Sequence, residues 1–389
     1  MARHILITGG TGALGPPLIA RVLAHDADTH VHALAREAPA GDPATHLRAA
    51  VAESAGRDAL ARLHPVAGNV RSPGLGIDSS VAADLVRRAT VLLHAAADTR
   101  FRAPPDDQRA TNVAGTAHAL DFAARCPRLT QFVFVSTTCV AGTRTGVIPE
   151  SLHDRPPAFT NFYEQTKWDA ERLVAARTGP TRIVRLSTVA GDARTGQCRR
   201  PGALHHSMRW LFRGLIPMVP AAPDAPLDII STQTAVDALA RAADTPPHGL
   251  DVCHVAAGAR APRVADVLDL LIAEFAARSP AWRRGQLARP DLVDAVTFDL
   301  FRDGVRRTRD PLLSRVLDSV EAFLPGLLFP KTYDTTRGRQ LHAPADDWQS
   351  LVRNVFAHCA DTNWARDGSH ASAPQTANQP EVDDVAVGT

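Results

Sequence analysis

Tyr163 and Lys167 lie four positions apart in a segment of helical character, so they share one face of a predicted helix. A phenol there could give a proton to a carbonyl oxygen, and a neighbouring ammonium would lower the pKa of that phenol. Thr137 ends an apolar run and adds a second hydroxyl for the same oxygen. Asn112 is predicted to support Lys167 through a helix-end carbonyl or water, although it also suits a helix cap. These four residues are the predicted catalytic set for the reduction of a carbonyl by a hydride donor.

A glycine-rich turn follows the first apolar run of the chain. Residues 8–15 read TGGTGALG, and a helix-compatible segment follows at 18–23. Strand, tight turn and helix in this order favour a dinucleotide, since the glycines permit a sharp turn and a close approach to a pyrophosphate. Arg36 ends the second predicted strand, and its guanidinium favours NADPH over NADH because it can bind a 2′-phosphate. The alternative is a surface arginine beside Glu37.

Strand and helix signals alternate from residue 1 to 190, which predicts an α/β fold with a doubly wound parallel sheet of Rossmann type. This domain is expected to span 1–258, with 192–228 as a substrate-side insertion and a short strand at 227–231 that returns to the sheet. A smaller, mostly helical substrate-binding part is expected over 259–366. Residues 367–389 are polar and aperiodic, which predicts a disordered tail.

Composition narrows the class of protein. The chain has 389 residues, 45% of them hydrophobic, and a net charge of +2, which indicates a folded protein without a nucleic-acid or membrane partner. The scattered cysteines form no CxxC pair and are typical of reduced thiols, so a cytoplasmic location is expected. Abundant alanine and arginine favour a bacterial source. His94 is expected to be a packed histidine, and no metal site is predicted.

These motifs resemble those of the extended short-chain dehydrogenases/reductases. Residues 93–101 (LHAAADTRF) and 185–196 (RLSTVAGDARTG) are similar to the thioester reductase and fatty acyl-CoA reductase branch, and the resemblance runs in order over 4–258. Leu186 and Asn69 depart from it, because Pro and Asp are usual there. The resemblance implies that the cofactor-binding residues are Thr8, Gly9, Thr11, Gly12, Ala13, Leu14, Gly15, Arg36, Asn69, Val70, Ala95, Ala96, Ala97, Lys167, Leu186, Thr188 and Val189.

The same resemblance implies an NADPH-dependent reduction of an acyl thioester to an aldehyde, with further reduction to the alcohol left open. The acyl group is expected to arrive on coenzyme A or an acyl carrier protein. Two alternatives remain: a dehydrogenase or reductase of a ketone, aldehyde, sterol-like or sugar substrate, and a dinucleotide-binding sensor without turnover. Acyl length and oligomeric state stay open.

A basic window precedes the predicted return strand. Residues 193–223 contain five arginines, two histidines and no acid. Their apolar residues could form one helix face over an acyl channel, while Arg199 and Arg200 meet the phosphates of coenzyme A or a phosphopantetheine arm. Thr138 is a further predicted substrate contact. The alternative is a surface helix whose arginines pair with acids of the chain.

Overall fold

The computed structural model describes residues 2–36, 42–321, 323–343 and 347–364. The predictions for Glu37 and for the tail at 367–389 therefore lie outside the described residues.

Strands and helices alternate through the first two thirds of the described chain. The strands are β1 (Arg3–Thr8), β2 (Thr29–Ala35), β3 (Leu63–Ala67), β4 (Val91–His94), β5 (Gln131–Thr137), β6 (Gly146–Ile148), β7 (Thr181–Leu186), β8 (Thr188–Gly191), β9 (Met218–Pro220), β10 (Ile229–Ser231), β11 (Leu250–Val255), β12 (Asp291–Val293) and β13 (Lys331–Tyr333). The α-helices are α1 (Gly15–His25), α2 (Pro43–Ala52), α3 (Arg57–Ala61), α4 (Ser79–Arg88), α5 (Pro105–Gln108), α6 (Gly115–Ala124), α7 (Phe162–Ala175), α8 (Ala203–Phe212), α9 (Thr232–Asp244), α10 (Val264–Arg278), α11 (Pro280–Arg283), α12 (Ala295–Thr308), α13 (Pro311–Glu321), α14 (Leu324–Leu328) and α15 (Trp348–Asp361). None of these helices has both the length and the apolar character needed to cross a bilayer.

Within the described residues, seven strands form one sheet in the order β11-β7-β5-β4-β1-β2-β3. Every neighbouring pair is parallel. Parallel neighbours need crossover connections, which the helices between the strands provide. The predicted doubly wound α/β fold is confirmed. It brings the carboxyl ends of β1, β4, β5 and β7 to one edge, where such sheets bind ligands.

Alternate residues of β1 pack on opposite faces of the sheet. Ile5 and Ile7 join an apolar cluster with α1 and α9, whereas Leu6 joins a second cluster with α4, α6 and α7. Helices therefore cover both faces, which explains why the strands are apolar throughout rather than alternating with polar residues.

Two predicted strands differ from the structure. Residues 227–231 do not return to the main sheet, because β10 pairs with β8 in a separate two-stranded sheet. The place beside β7 is taken by β11, whose Val255 lies opposite Leu186. The sequence also predicts a strand over residues 66–70, whereas β3 begins at Leu63, which pairs with Val31 of β2.

The segments after β7 build their own apolar cores. Helices α8, α10 and α15 share a cluster that includes Met208, Leu271 and Phe356. A smaller cluster links α8 to α12 and α13 through residues such as Trp210 and Phe298. These helices form a wall beside the carboxyl edge of the sheet.

Residues 330–341, here called the strap, return from the helical part to the sheet. Tyr333 of β13 lies opposite Ile148 of β6. The Glu150 carboxylate accepts hydrogen bonds from the amides of His254 and Gly338, both at 2.8 Å. A Cβ at Gly338 would lie 1.9 Å from the His254 carbonyl oxygen, so only glycine permits this close approach. The strap is thus fixed at both ends against the sheet domain.

Four histidines stack near the amino ends of β1, β2 and β3, away from the ligand edge. His4 Nδ1 lies 3.0 Å from His32 Nε2, and His30 Nδ1 lies 2.9 Å from His64 Nε2. Each bond needs one imidazole nitrogen to accept, so neither pair can be fully protonated. Burial, followed by the neighbouring histidines, lowers the pKa of His32 from 6.5 to about 3.

This cluster predicts acid sensitivity. Below pH 6.5 the unfolded chain protonates His32 while the folded chain does not until about pH 3, so stability falls as pH falls through this window. The group contributes at most about 1.4 kcal/mol per pH unit. In urea titrations from pH 7 to 4, His32→Gln is expected to flatten the decline, whereas His46→Gln, at an exposed position, leaves it unchanged. An equally steep decline in both variants would contradict this assignment.

Candidate active site

Helix α7 carries Tyr163 and Lys167. It starts after Asn161, whose side chain accepts a hydrogen bond of 3.0 Å from the Glu164 amide and so caps the helix. The two functional side chains are 8% and 2% exposed, respectively, which places both in the interior. The predicted spacing on one helix face is therefore realised against the sheet.

A buried ion pair holds α7 in place. The Glu171 carboxylate accepts hydrogen bonds from Arg185 of β7 at 2.9 and 2.8 Å and from the Ser136 hydroxyl of β5 at 2.6 Å. A bidentate pair with this geometry fixes direction as well as distance. Because Ser136 is engaged here, Thr137 is the hydroxyl left at the end of β5.

Thr137 and Tyr163 meet at this strand end. The Thr137 Oγ1 accepts a hydrogen bond of 3.1 Å from the Cys139 amide, and the Thr137 hydroxyl lies near the Tyr163 phenol. Burial raises the pKa of Tyr163, and the Cys139 thiol adds to this, whereas the Thr137 hydroxyl lowers it. The phenol is therefore neutral, and its pKa is raised rather than lowered as the sequence predicted.

Lys167 contacts β5 rather than the phenol. Its Nζ donates to the Val135 carbonyl at 2.8 Å and lies 4.0 Å from the centre of the Phe134 ring. Burial lowers the pKa of Lys167 to about 7, and the Glu171 carboxylate opposes this. Lys167 can therefore gain or lose a proton near neutral pH, which suits a relay.

Asn112 lies in a π-helical turn, Arg109–Ala114, of the kind often found at functional sites. Its amide donates to the Asp98 carbonyl and to Thr166 Oγ1, both at 3.0 Å, and its oxygen accepts from the Asp98 amide at 2.8 Å. The side chain thus bonds the neighbour of Lys167, not the helix-end partner expected for it. It fastens the loop after β4 to α7.

The glycine-rich turn presents bare backbone at the end of β1. Gly9 has a φ of 78°, and a Cβ there would lie 2.8 Å from the backbone of Ala95. Pro16 and Pro17 carry no N–H, which the first turn of α1 tolerates. The amide donors at this end therefore come from the residues just before them, such as Leu14. This cradle fits a dinucleotide pyrophosphate.

Thr8 and His94 link the strands beneath that cradle. Thr8 Oγ1 lies 2.8 Å from His94 Nδ1 and accepts from the Ala96 amide at 3.2 Å, while His94 Nε2 lies 3.2 Å from Thr116 Oγ1. His94 is packed, as predicted, and burial lowers its pKa to about 3. Across the described ranges, no group of histidine, cysteine and carboxylate side chains is arranged to hold a metal ion.

The remaining predicted cofactor residues lie along the carboxyl edge. Asn69 follows β3, and its side-chain oxygen accepts a 3.0 Å hydrogen bond from the Arg71 amide, which stabilises the turn after this strand. Leu186 ends β7, and Thr188 and Val189 lie in β8 beside it.

Arg199 and Arg200 lie at the nucleotide side of this edge. Arg199 pairs at 2.7 Å with Glu53, the residue that follows α2, and Arg200 Nη2 donates to the Thr11 carbonyl at 3.1 Å. The loss of water around Arg200, and then the positive charges of Arg36 and Arg199, lower its pKa. These contacts differ from the predicted thioester dock, because the segment before α8 passes over the glycine-rich turn.

Sequence reasoning missed Tyr333. Its phenol lies near the Thr138 hydroxyl, and the Tyr333 ring lies edge-on to His254 with the ring centres 5.5 Å apart. Thr138, a predicted substrate contact, is 5% exposed at the end of β5. The sequence feature that could have indicated Tyr333 is the scarcity of tyrosine, because the chain has only two.

An apolar cavity lies between α8, α10, α13 and α14. The predicted apolar face of the basic window contributes to it through Leu204, Met208, Leu211 and Ile216. The other lining residues are Ser207, Met218, Val219, Pro220, Leu227, Val264, Val267, Leu268, Leu271, Phe298, Val320, Phe323, Leu324 and Leu327.

Residues 7–240 match the NAD-binding family described as Male sterility protein, which is more than half of the 389 residues. The chain belongs to this family. The resemblance to the thioester reductase and fatty acyl-CoA reductase branch is confirmed, and the chain is an oxidoreductase-family member with an NAD(P)-binding fold.

A putative fatty acyl-CoA reductase of Drosophila melanogaster is 28% identical over 160 residues, which are 39% of this chain and 29% of that protein. The chain thus spans less than a third of that relative's length. The terminal R domain of the myxalamid PKS-NRPS pathway superposes with a TM-score of 0.77 at 22% identity, covering 94% of this chain and 92% of that one. A thiolation-reductase di-domain from an archaeal non-ribosomal peptide synthetase gives 0.70 at 15% identity, with coverages of 94% and 76%. At these identities both structures support the fold.

Tyr163→Phe removes the phenolic hydroxyl and keeps the aromatic ring. We expect turnover to fall at least about 100-fold, the usual scale for a positioned acid, while folding and nucleotide binding persist. Steady-state rates, circular dichroism and nucleotide titration measure the three effects. Thr137→Ser, which keeps a hydroxyl, should retain more activity than Thr137→Val. Rates near the wild type in the Tyr163 variant would refute the role.

Proposed function

We propose that this protein reduces an acyl thioester to an aldehyde with NADPH, and that an alcohol forms where the aldehyde takes a second hydride. Bound NADPH supplies the hydride to the carbonyl carbon. The observation that carries the proposal is the buried pair of Thr137 and Tyr163, connected by a short loop to the wall of an apolar cavity.

The loop that follows β4 contacts Tyr163 through one residue and α13 through the next. The Phe101 ring packs edge-on against Tyr163, with the ring centres 5.4 Å apart. The next residue, Arg102, pairs with Asp318 at 2.9 Å and Glu321 at 2.6 Å on α13. Helix α13 lines the cavity through Val320. An acyl carbonyl at Tyr163 would therefore have apolar space for its chain close by.

Thr137, Tyr163, Lys167 and the apolar cavity have separate roles in this reaction. Thr137 and Tyr163 donate hydrogen bonds to the carbonyl oxygen, where negative charge develops as hydride adds. Tyr163 then gives its proton to that oxygen, and Lys167, with a pKa of about 7, helps to restore it. The apolar cavity binds the alkyl part by burial and excludes water.

The names of the relatives support an acyl substrate. One is named a fatty acyl-CoA reductase, and one structure joins a thiolation domain to a reductase domain. These names favour an acyl thioester, on coenzyme A or on a carrier protein, over a sugar or sterol.

The preference for NADPH is supported by two arginines from distant segments. Arg36 directly follows β2, while Arg200 donates to the Thr11 carbonyl of the glycine-rich turn. The positive charge of Arg36 lowers the pKa of Arg200, so the two like charges lie close together. A phosphate between them would relieve this repulsion and accept charge-assisted hydrogen bonds. The 2′-phosphate of NADPH offers such a group, and NADH does not.

The substrate is tested by following NADPH oxidation with acyl-CoAs of increasing length, carrier-bound acyl groups, aldehydes and sugar nucleotides, with product identification. We expect acyl thioesters to give aldehydes, with preference for longer chains. Leu204→Trp, which fills the cavity, should raise KM for a long-chain thioester about tenfold or more, on the scale of 1–3 kcal/mol of lost burial, and spare acetyl-CoA. Leu312→Trp, at a position 46% exposed on α13, is the matched control. Activity confined to sugar nucleotides would overturn the proposal.

The cofactor is tested by fluorescence titration with NADPH and NADH. Arg36→Ala and Arg200→Ala should each weaken NADPH binding by about 1–3 kcal/mol, the value of a charged hydrogen bond, and leave NADH binding unchanged. Arg199→Ala is the matched control, because that guanidinium pairs with Glu53. Equal wild-type affinities for the two nucleotides would exclude a 2′-phosphate site.

A further inference from the structure

Both tyrosines of the chain lie at the carboxyl end of β5. Thr137 lies near the phenol of Tyr163, and the next residue, Thr138, lies near the phenol of Tyr333. The Cys139 thiol is close enough to raise the pKa of both phenols. The Tyr333 ring also packs edge-on against His254 of β11, with the ring centres 5.5 Å apart. Two phenols from segments far apart in sequence therefore lie at the end of β5.

The strap fixes the second phenol. Tyr333 lies opposite Ile148, and the following residue, Asp334, donates its amide to the Ile148 carbonyl at 2.9 Å. Lys331, two residues before Tyr333, donates from Nζ to the Gly142 carbonyl at 2.7 Å. The phenol is therefore held by backbone pairing and side-chain bonds. Placement this rigid suits a group that must meet a reacting atom.

Thioester reduction contains a step that aldehyde reduction lacks. Once hydride and a proton have been added, the carbon carries a hydroxyl and the sulfur. The carbon–sulfur bond then breaks and its electron pair goes to sulfur, while the hydroxyl proton returns to the Tyr163 phenolate as the carbonyl re-forms. Charge develops on sulfur at a buried position, where an unpaired ion is costly. Thr137 and Tyr163 donate hydrogen bonds to the oxygen, so a separate hydrogen-bond donor is needed to stabilise the charge on sulfur.

We propose that Tyr333 is a catalytic residue for thioester cleavage, whose phenol donates a hydrogen bond to the sulfur as the carbon–sulfur bond breaks. The thiolate takes its proton from water as it leaves. The Thr138 hydroxyl lies near the phenolic oxygen and lowers the pKa of Tyr333, although burial outweighs it. Burial raises the pKa of Tyr333, so this group donates a hydrogen bond and keeps its proton. The inference rests on the proposed function, because only a thioester has the departing sulfur.

The test compares Tyr333→Phe with the wild type on an acyl thioester and on the aldehyde of the same chain. We expect kcat for the thioester to fall about 100-fold, the lower end of the scale for losing one donor to a developing charge. The aldehyde rate should stay within about twofold, since no sulfur departs. Across thioesters with leaving thiols of decreasing pKa, the variant should gain rate more steeply than the wild type, because its thiolate lacks a donor. A purely structural role would not change that slope.

Thr332→Val, the neighbouring position on the opposite face of β13, is the matched control and should behave as the wild type. Equal losses on thioester and aldehyde, or an unchanged slope, would overturn the role of Tyr333 while the proposed function stands. A wild type that reduces aldehydes but no thioester would overturn both.

Discussion

The buried ion pair between Glu171 and Arg185 determines where the reactive groups of this protein lie. It ties α7 to β7, and through Ser136 to β5, with both charged side chains at most 2% exposed. Removing one partner of such a pair costs about 3–5 kcal/mol, because the other charge is left buried. Its contribution here is geometric: a shift of α7 along the sheet would separate Tyr163 from Thr137 and move Lys167 from its bond to Val135.

Local sequence patterns were sufficient for the parts of the fold made from neighbouring residues. The apolar runs ending at Thr8 and Thr137 are buried parallel strands, and the segment with Tyr163 and Lys167 is one helix. Each feature is set within one strand or one helix, where periodicity and turn chemistry decide the structure. The glycine-rich turn was predictable for the same reason, since Gly9 must adopt a positive φ at a close contact.

Contacts between distant segments were not predictable in the same way. The strand at β10 has three residues, and no periodicity in so short a run specifies whether it pairs with β7 or β8. Arg200 was predicted to be a substrate residue because it lies in the basic window at 193–223, yet it bonds Thr11, which is far earlier in the chain. Tyr333 reaches the site through a three-residue strand whose partner lies at Ile148. In each case the outcome depends on topology, which single-sequence patterns do not encode.

The strap also has a consequence for the order of folding. Its pairing joins residues near 148 to residues near 333, whereas the last strand of the main sheet ends at Val255. Contacts that close so long a loop carry a large entropic cost and form late. During synthesis, every strand of the sheet leaves the ribosome before the strap does. A nascent chain therefore passes through an interval in which every strand of its sheet has been made while Tyr333 has not yet reached the end of β5.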